Sequence, residues 1–530
     1  MARVLWVQNL WMEFYGVMVV SALLKEHGHQ SEILFGSKEE IVESIYRDQP
    51  TCIAFSCMTV QWKWAKEIST FIKQSGIDIP VVMGGIHATI YPEDAISHPG
   101  IDVICLNEGE YPMLELVEAL ENNRDYSTIE NLWIRKNGKI IRNSTRPKLA
   151  SQELNDLPFA DRTIYKKYDH FANYPFEIFV GSRGCPFKCS FCEVPDIHAM
   201  YGDERKSTYY RDPVAFVDEI EIAKEKGLLD GKLVMFTDST FNSHRKWFLH
   251  VLEEYQRRIA MPFSCNLRVD LVDEVQVKAL AETGCCDNVR FGIESGDYEI
   301  RNRILDKNLT DEQIYKVAEL LHEYKVPFVT FNLFASPDET YKQAWKTIRI
   351  NQRVKPSGLS AYVVMLYPGI RMTDYAIKKG LISKDDLDLL DQHPYNLHLS
   401  LLALNPEQSP DAVRISNLCK FSLLAVRLPF LEPIIRLLVK LPPLNIFNAI
   451  YSLSSAWEYR KWSSRTTFWR LVYEGILNYQ ALVEVHGTEG SILRKISLMV
   501  SSWTKKRRQT PRIGTKPSEL EASRRQILIE

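Results

Sequence analysis

Long apolar runs are missing from this chain. Its most apolar region, 421–443, is broken by Pro429, Pro433, Pro442 and Pro443 and by Arg427, Arg436 and Lys440, so no membrane-spanning helix is expected. Cysteine is sparse: ten in 530 residues form no disulfide framework. Those at 52, 57, 105, 265, 285, 286 and 419 show no C-x2-C pairing, which argues against a four-ligand zinc site or an auxiliary cluster. No leader with a basic start and an apolar middle is recognisable, because the chain opens directly on the strand-like run Arg3-Val4-Leu5-Trp6-Val7. Net charge is nearly absent, at −2, and no nucleic acid is expected as a partner. That balance hides an asymmetry: between Lys420 and Arg512 fifteen Lys and Arg stand against five Asp and Glu.

What is present centres on Gly184-Cys185-Pro186-Phe187-Lys188-Cys189-Ser190-Phe191-Cys192. Three thiolates spaced C-x3-C-x2-C, in a loop after the apolar run 176–180, can hold three irons of a four-iron, four-sulfur cube. The fourth iron stays open to chelate a small molecule, so such a cluster is reactive rather than a simple electron carrier. The pattern resembles the radical S-adenosylmethionine (SAM) superfamily. That resemblance implies a 4Fe-4S cluster on Cys185, Cys189 and Cys192, with SAM bound through its amino and carboxylate groups. It also implies reductive cleavage to a 5′-deoxyadenosyl radical and an external reductant such as flavodoxin or ferredoxin. Free thiolates need a reducing interior, so the expected location is cytoplasmic.

At 530 residues the chain is expected to form two or three domains. In 1–125, apolar runs at 4–7, 31–34, 52–56, 81–83 and 103–106 alternate with helical periodicity at 16–25, 39–46, 64–73 and 113–121. Serial βα units predict a Rossmann-like, flavodoxin-type α/β domain with ligands at the carboxyl ends of its strands. Gly84-Gly85-Ile86-His87-Ala88-Thr89, then Pro92-Glu93-Asp94, then Asn107-Glu108-Gly109-Glu110 follow two of those strands. They resemble the cobalamin-binding-type domain found before many radical SAM barrels. The resemblance implies cofactor contacts from Gly84, Gly85, His87, Glu108 and Gly109, with Ser56 and Thr59 on a second loop. No D-x-H-x2-G is present, so cobalamin is expected without a protein histidine on cobalt. The alternative is the same fold holding no cobalamin.

Residues 126–175 read as a hairpin at Asn137-Gly138 followed by a connector, Leu154-Asn155-Asp156-Leu157-Pro158-Phe159. In 176–385, apolar runs at 176–180, 233–236, 263–266, 288–293, 328–333 and 360–366 fit six strands, and the resemblance implies a partial (β/α)6 barrel. It implies SAM contacts from Phe191, Asp238, Arg268, Glu294 and Ser295, the last two within Gly292-Ile293-Glu294-Ser295-Gly296. The family's G-x-P-G-E-T is altered to Ala335-Ser336-Pro337-Asp338-Glu339-Thr340, and its P-x-P-G-T to Leu366-Tyr367-Pro368-Gly369-Ile370. Each of these polar residues is equally readable as a hydrogen-bonding residue of the barrel rim.

The region 386–503 reads as helical, and 504–530 as a basic, disordered tail. Trp457, Trp462, Trp469 and Tyr473 among Arg460, Lys461, Arg465 and Arg470 suit an interfacial helix with peripheral membrane contact; a substrate lid on the barrel is the favoured reading. The resemblance implies a cobalamin-dependent methyltransferase acting on an unactivated carbon of a small-molecule or lipid-like substrate. Its alternative is a radical SAM cyclase or carbon–carbon bond-forming enzyme without methyl transfer.

Overall fold

The computed structural model describes residues 1–202, 208–391 and 398–462. The first sheet contains β1 (Arg3–Val7), β2 (Gln30–Leu34), β3 (Cys52–Ser56), β4 (Val81–Gly84), β5 (Val103–Cys105), β6 (Leu132–Lys136) and β7 (Lys139–Arg142). Its order is β2-β1-β3-β4-β5-β6-β7, with β1 to β5 parallel and β6 and β7 antiparallel. The parallel part has the flavodoxin order, and its loops at the carboxyl ends form a ligand-facing edge. Side chains along β1 alternate strictly. Val4 and Trp6 enter the core on one face with Met18, Leu24 and Val117, while Leu5 and Val7 enter the other with Ile53, Ile72 and Ile104. Helices cover both faces, which is why these strands read as unbroken apolar runs.

Two features differ from the sequence reading. The Asn137-Gly138 hairpin, expected in a linker, extends the first sheet: β6 pairs with β5, and both turn residues have positive φ (52° and 72°). The connector packs onto the first domain through Leu154, Leu157, Tyr165 and Phe171. Buried charges then tie it to the next domain. Arg162 reaches Glu177 at 3.2 Å and Glu219 at 2.7 Å, and Lys166 reaches Glu13 at 2.8 Å and Glu177 at 2.7 Å. Such pairs are costly to break singly, so they set the orientation of the two sheets.

The second sheet begins with β8 (Phe176–Phe179). A short antiparallel ribbon follows, β9 (Ser182–Gly184) with β10 (Thr208–Tyr210). Then come β11 (Leu233–Phe236), β12 (Phe263–Asn266), β13 (Cys286–Glu294), β14 (Phe328–Phe334) and β15 (Gly358–Val363). The order β15-β14-β13-β12-β11-β8 is sequential and wholly parallel, an open six-stranded arc. Helices return each strand, and in the altered Ala335–Thr340 loop Thr340 caps the helix Tyr341–Val354 by accepting from the Gln343 N–H.

The helices Ala412–Arg427, Glu432–Leu438 and Asn445–Trp462 follow. Ile415, Leu418, Phe421 and Ala425 pack on Phe334, Ala344, Ile348, Leu359 and Ala361. This region therefore covers β14, β15 and the helix beside them, giving the open end of the sheet its missing neighbour. No described helix is long and apolar enough to cross a membrane. Trp469, Tyr473 and the basic tail lie outside the described residues.

Candidate cluster and cofactor site

The cysteine loop is anchored from several sides. Asp238, at the end of β11 and 1% exposed, accepts from the Gly181 N–H at 3.1 Å and from Ser182 Oγ at 2.5 Å. Burial pushes its carboxyl up to about 6 against the pull of those hydrogen bonds. Gly184 then turns at φ 90° to enter the loop. The Ser190 N–H donates to the Leu305 carbonyl at 3.1 Å, and the Ser190 carbonyl accepts from Met372 N at 3.0 Å. Arg371 donates to the Lys188 carbonyl. The helix after Gly369-Ile370 thus clamps the loop.

Cys185 Sγ lies 3.3 Å from Thr240 Oγ1, and Cys189 Sγ lies 3.5 Å from Arg268 Nη1. Burial pushes the Cys192 thiol up, and its charge also interacts with Cys189 and Cys185. Burial raises Cys189 too, opposed by Lys307 and Arg268. Among the described residues no three His, Cys, Asp or Glu side chains are arranged to hold one metal ion. Three cysteines spaced C-x3-C-x2-C suit an extended cluster, in which each thiolate binds its own iron. Bound iron would supply the positive charge that deprotonates them.

Beside Cys189 lies a buried charged strip. Glu294, at the end of β13, has φ 62°, a strained conformation for a residue other than glycine. Its Oε1 is 2.9 Å from Lys307 Nζ, which sits 5.8 Å from the Phe191 ring centroid. A Cβ at Gly292 would fall 1.8 Å from that same oxygen, so glycine is what lets the carboxylate fold back. Burial pulls the Lys307 ammonium down, but Glu294 and Cys189 outweigh it and the group stays charged. Arg268 lies 3.5 Å over the Phe187 ring and 2.8 Å from Asp270 Oδ1. Two cations and two carboxylates, Arg268 with Asp270 and Lys307 with Glu294, thus stand next to the cluster loop, charge types that suit an amino-carboxylate ligand.

A cavity of about 300 Å³ opens between the two sheets. Gly85, Thr89, Asn107 and Glu108 line it from the first domain, and Arg183, Gly184, Ile197, His198 and Tyr201 from the second. Gly85 is required: it has φ 90°, and a Cβ there would lie 2.6 Å from Cys57 N. Asn107, at φ 58°, has both its amide oxygen and nitrogen buried without a hydrogen-bond partner. An unpaired donor and acceptor on a cavity wall call for a ligand with both, and the corrin rim of cobalamin carries carboxamides. Arg183 bridges the walls, reaching Glu108 at 2.9 Å and Glu110 at 2.6 Å.

Residues 12–117 match the B12 binding domain family, and residues 179–350 match the Radical SAM superfamily. The chain is a radical SAM protein with a B12-binding domain. It is 27% identical to an uncharacterized methyltransferase of Pyrococcus horikoshii, over 69% of this chain and 79% of that one. It is 25% identical to the anaerobic magnesium-protoporphyrin IX monomethyl ester cyclase of Rubrivivax gelatinosus, over 71% of this chain and 65% of that one. Among solved structures, the radical SAM methyltransferase TsrM of Kitasatospora setae, with cobalamin and a [4Fe-4S] cluster bound, superposes with TM-score 0.60 at 18% identity. That match covers 71% of this chain and 75% of TsrM. The cobalamin-dependent radical enzyme OxsB superposes with TM-score 0.57 at 16% identity, over 97% of this chain and 76% of OxsB. Those two likenesses concern the fold.

The radical SAM protein gathers its sequence-predicted residues unequally. Phe191, Arg268 and Glu294 sit with Cys189 and Lys307. Asp238 and Ser295, expected at SAM, hydrogen-bond within the protein. Both Asp238 oxygens face the turn before the cluster loop, and Ser295 is fully buried, its Oγ accepting from the Asp297 N–H at 3.2 Å. Packing explains this, since a Cβ at Gly296 would already be 2.3 Å from the Lys346 backbone.

In the B12-binding domain, Gly85 and Glu108 line the cavity, whereas His87 and Thr59 do not. His87 is buried, stacked on Trp62 at 4.9 Å, with Thr59 Oγ1 and Asp94 Oδ2 each 3.3 Å away, so it braces its loop. Ser56 and Gly84 pair in register at the ends of β3 and β4, and Gly109 precedes the helix Glu110–Glu121. Asn107, Arg183, Lys307 and His198, whose Nε2 lies 3.5 Å from Cys185 N, are among the site residues that motif matching did not single out. The available signal for Asn107 was an asparagine directly after a parallel strand, where a left-handed turn is common.

Proposed function

We propose that this protein cleaves SAM at a 4Fe-4S cluster on Cys185, Cys189 and Cys192 and uses cobalamin to pass a methyl group to an unactivated carbon. The observation that carries this reading is the shared cavity, walled by the strand ends of the B12-binding domain on one side and, on the other, by Arg183 and Gly184 just before the cluster loop and Val194, Ile197 and His198 just after it. When bound, the cluster with SAM supplies a hydrogen-abstracting radical and cobalamin supplies a methyl carrier. The chain's own residues do the rest. Lys307, Glu294 and Arg268 orient the amino-carboxylate end of SAM, Asn107 and Glu108 receive the corrinoid rim, and Arg183 keeps the two walls in register. A flavodoxin or ferredoxin delivers the electron, and the substrate is a small or lipid-like molecule.

The methyltransferase names of the Pyrococcus relative and of TsrM support methyl transfer. The Rubrivivax relative is named a cyclase, which favours the second reading of radical chemistry without methylation. Anaerobic turnover with methyl-labelled SAM separates the two. Label in the product together with 5′-deoxyadenosine supports methyl transfer, and 5′-deoxyadenosine with an unlabelled product overturns it.

A further inference from the structure

Large exposed apolar side chains concentrate at one place on this molecule. Between Leu428 and Ile446 every exposed residue is apolar except Lys440 and Asn445. Phe430 is 73% exposed, Leu437 65% and Ile446 62%. In the helix Glu432–Leu438, Ile435 faces inward while Ile434 and Leu437 face out. A helix apolar on both sides belongs in a core or at an apolar boundary, yet among the described residues nothing covers the outer side. In the next helix, Asn445–Trp462, Ile446, Leu453 and Trp457 continue the exposed stripe, while Phe447 and Glu458 turn inward.

Charge identifies what covers it. The carboxylate nearest the patch, Glu432, is held by Arg349 at 2.6 Å and Arg436 at 2.8 Å, so it presents no free negative charge. Lys440 stands exposed in the middle of the patch. The sequence beyond the described residues, 463–530, adds twelve Lys and Arg against six Glu, among them the run Lys505-Lys506-Arg507-Arg508. Apolar side chains on short helices and proline-rich turns, with Lys440 exposed among them and a basic excess in the sequence that follows, match a bilayer surface bearing anionic headgroups. A soluble protein partner would be expected to meet a polar rim of mixed sign.

We infer that the surface formed by Leu428, Phe430, Ile434, Leu437, Leu441 and Ile446 docks this protein onto an anionic lipid bilayer without crossing it. This inference is independent of methyl transfer. The test is flotation of the full-length, anaerobically purified protein with vesicles of phosphatidylcholine, alone or mixed with phosphatidylglycerol. The protein should float with the mixed vesicles. The triple variant Phe430→Ser/Leu437→Ser/Ile446→Ser should partition at least about tenfold less while melting at the same temperature. Hydrogen exchange is the second measurement, and residues 428–446 should gain protection only when mixed vesicles are added. Absence of flotation, or flotation unchanged in the triple variant, overturns the inference. So does protection already complete without vesicles, which assigns the patch to the chain's own C-terminal segment. A concentration-dependent dimer abolished by the variant, with no flotation, assigns it to a second copy and also overturns the inference.

Discussion

Arg183 grips Glu108 with one terminal nitrogen, at 2.9 Å, and Glu110 with the other, at 2.6 Å. The arginine lies two residues before Cys185, while Glu108 lies on the loop after β5 and Glu110 opens the helix that follows, so one guanidinium couples the cluster loop to the B12-binding domain. Burial pulls Arg183 down, but the two carboxylates outweigh it and keep it charged. Lysine would offer one compact ammonium in place of the planar fork whose two nitrogens here each take a separate carboxylate. Arg183→Lys should retain iron, lose on the order of 2 kcal/mol of stability and lower turnover more than tenfold. Iron analysis, thermal melts and 5′-deoxyadenosine assays check the three parts separately.

Replacing any of Cys185, Cys189 or Cys192 with alanine should remove the iron–sulfur absorption and all SAM cleavage, because none of the three has a substitute thiol in its loop. Cys419→Ala, far away in the Ala412–Arg427 helix, should keep both. Retained cleavage in a cluster-cysteine variant would sink the assignment.

Glu294→Gln keeps the shape and removes the charge facing Lys307. Loss of one charge-assisted hydrogen bond should weaken SAM binding about tenfold or more. Gly292→Ala should be worse, because its methyl group collides with the Glu294 carboxylate. Equilibrium binding of SAM to the reconstituted protein is the measurement.

Asn107→Leu removes an amide that has no partner in the protein. Stability without cobalamin should stay level or rise, while corrinoid retention, read from the absorption spectrum, should fall about tenfold. Loss of stability with unchanged retention would contradict the assignment of this residue.

Glu339 is buried after β14, and burial pushes its carboxyl up to about 8 against the hydrogen bond from Ser336 N. Between its unfolded value of 4.5 and about 8, the folded protein holds one more proton than the unfolded chain. Stability from this group is therefore complete below 4.5 and is lost as pH rises through 8. Glu339→Gln should abolish that decline, so its melting temperature relative to wild type should rise from pH 6 to pH 8.

Both sheets were legible because buried parallel strands produce apolar runs that chain connectivity then orders, as at 52–56 and 233–236. The hairpin at Asn137-Gly138 was legible as a hairpin only, because its turn chemistry is local while its pairing with β5 is not. Asp238 and Ser295 have the residue types of ligand contacts, and only packing shows that their oxygens hydrogen-bond within the protein.

Local spacing by itself pointed to the three-thiolate motif, to serial βα units before six further strands and to the lack of a spanning helix among the described residues. These follow from short-range rules of periodicity, ligand number and run length. Tertiary structure alone decided that Arg183 joins the walls and that Asn107 is unpaired. It also decided that Glu294 folds back over Gly292 and that the apolar surface at 428–446 is exposed among the described residues. Each depends on distances between segments far apart in the chain, which no local pattern encodes.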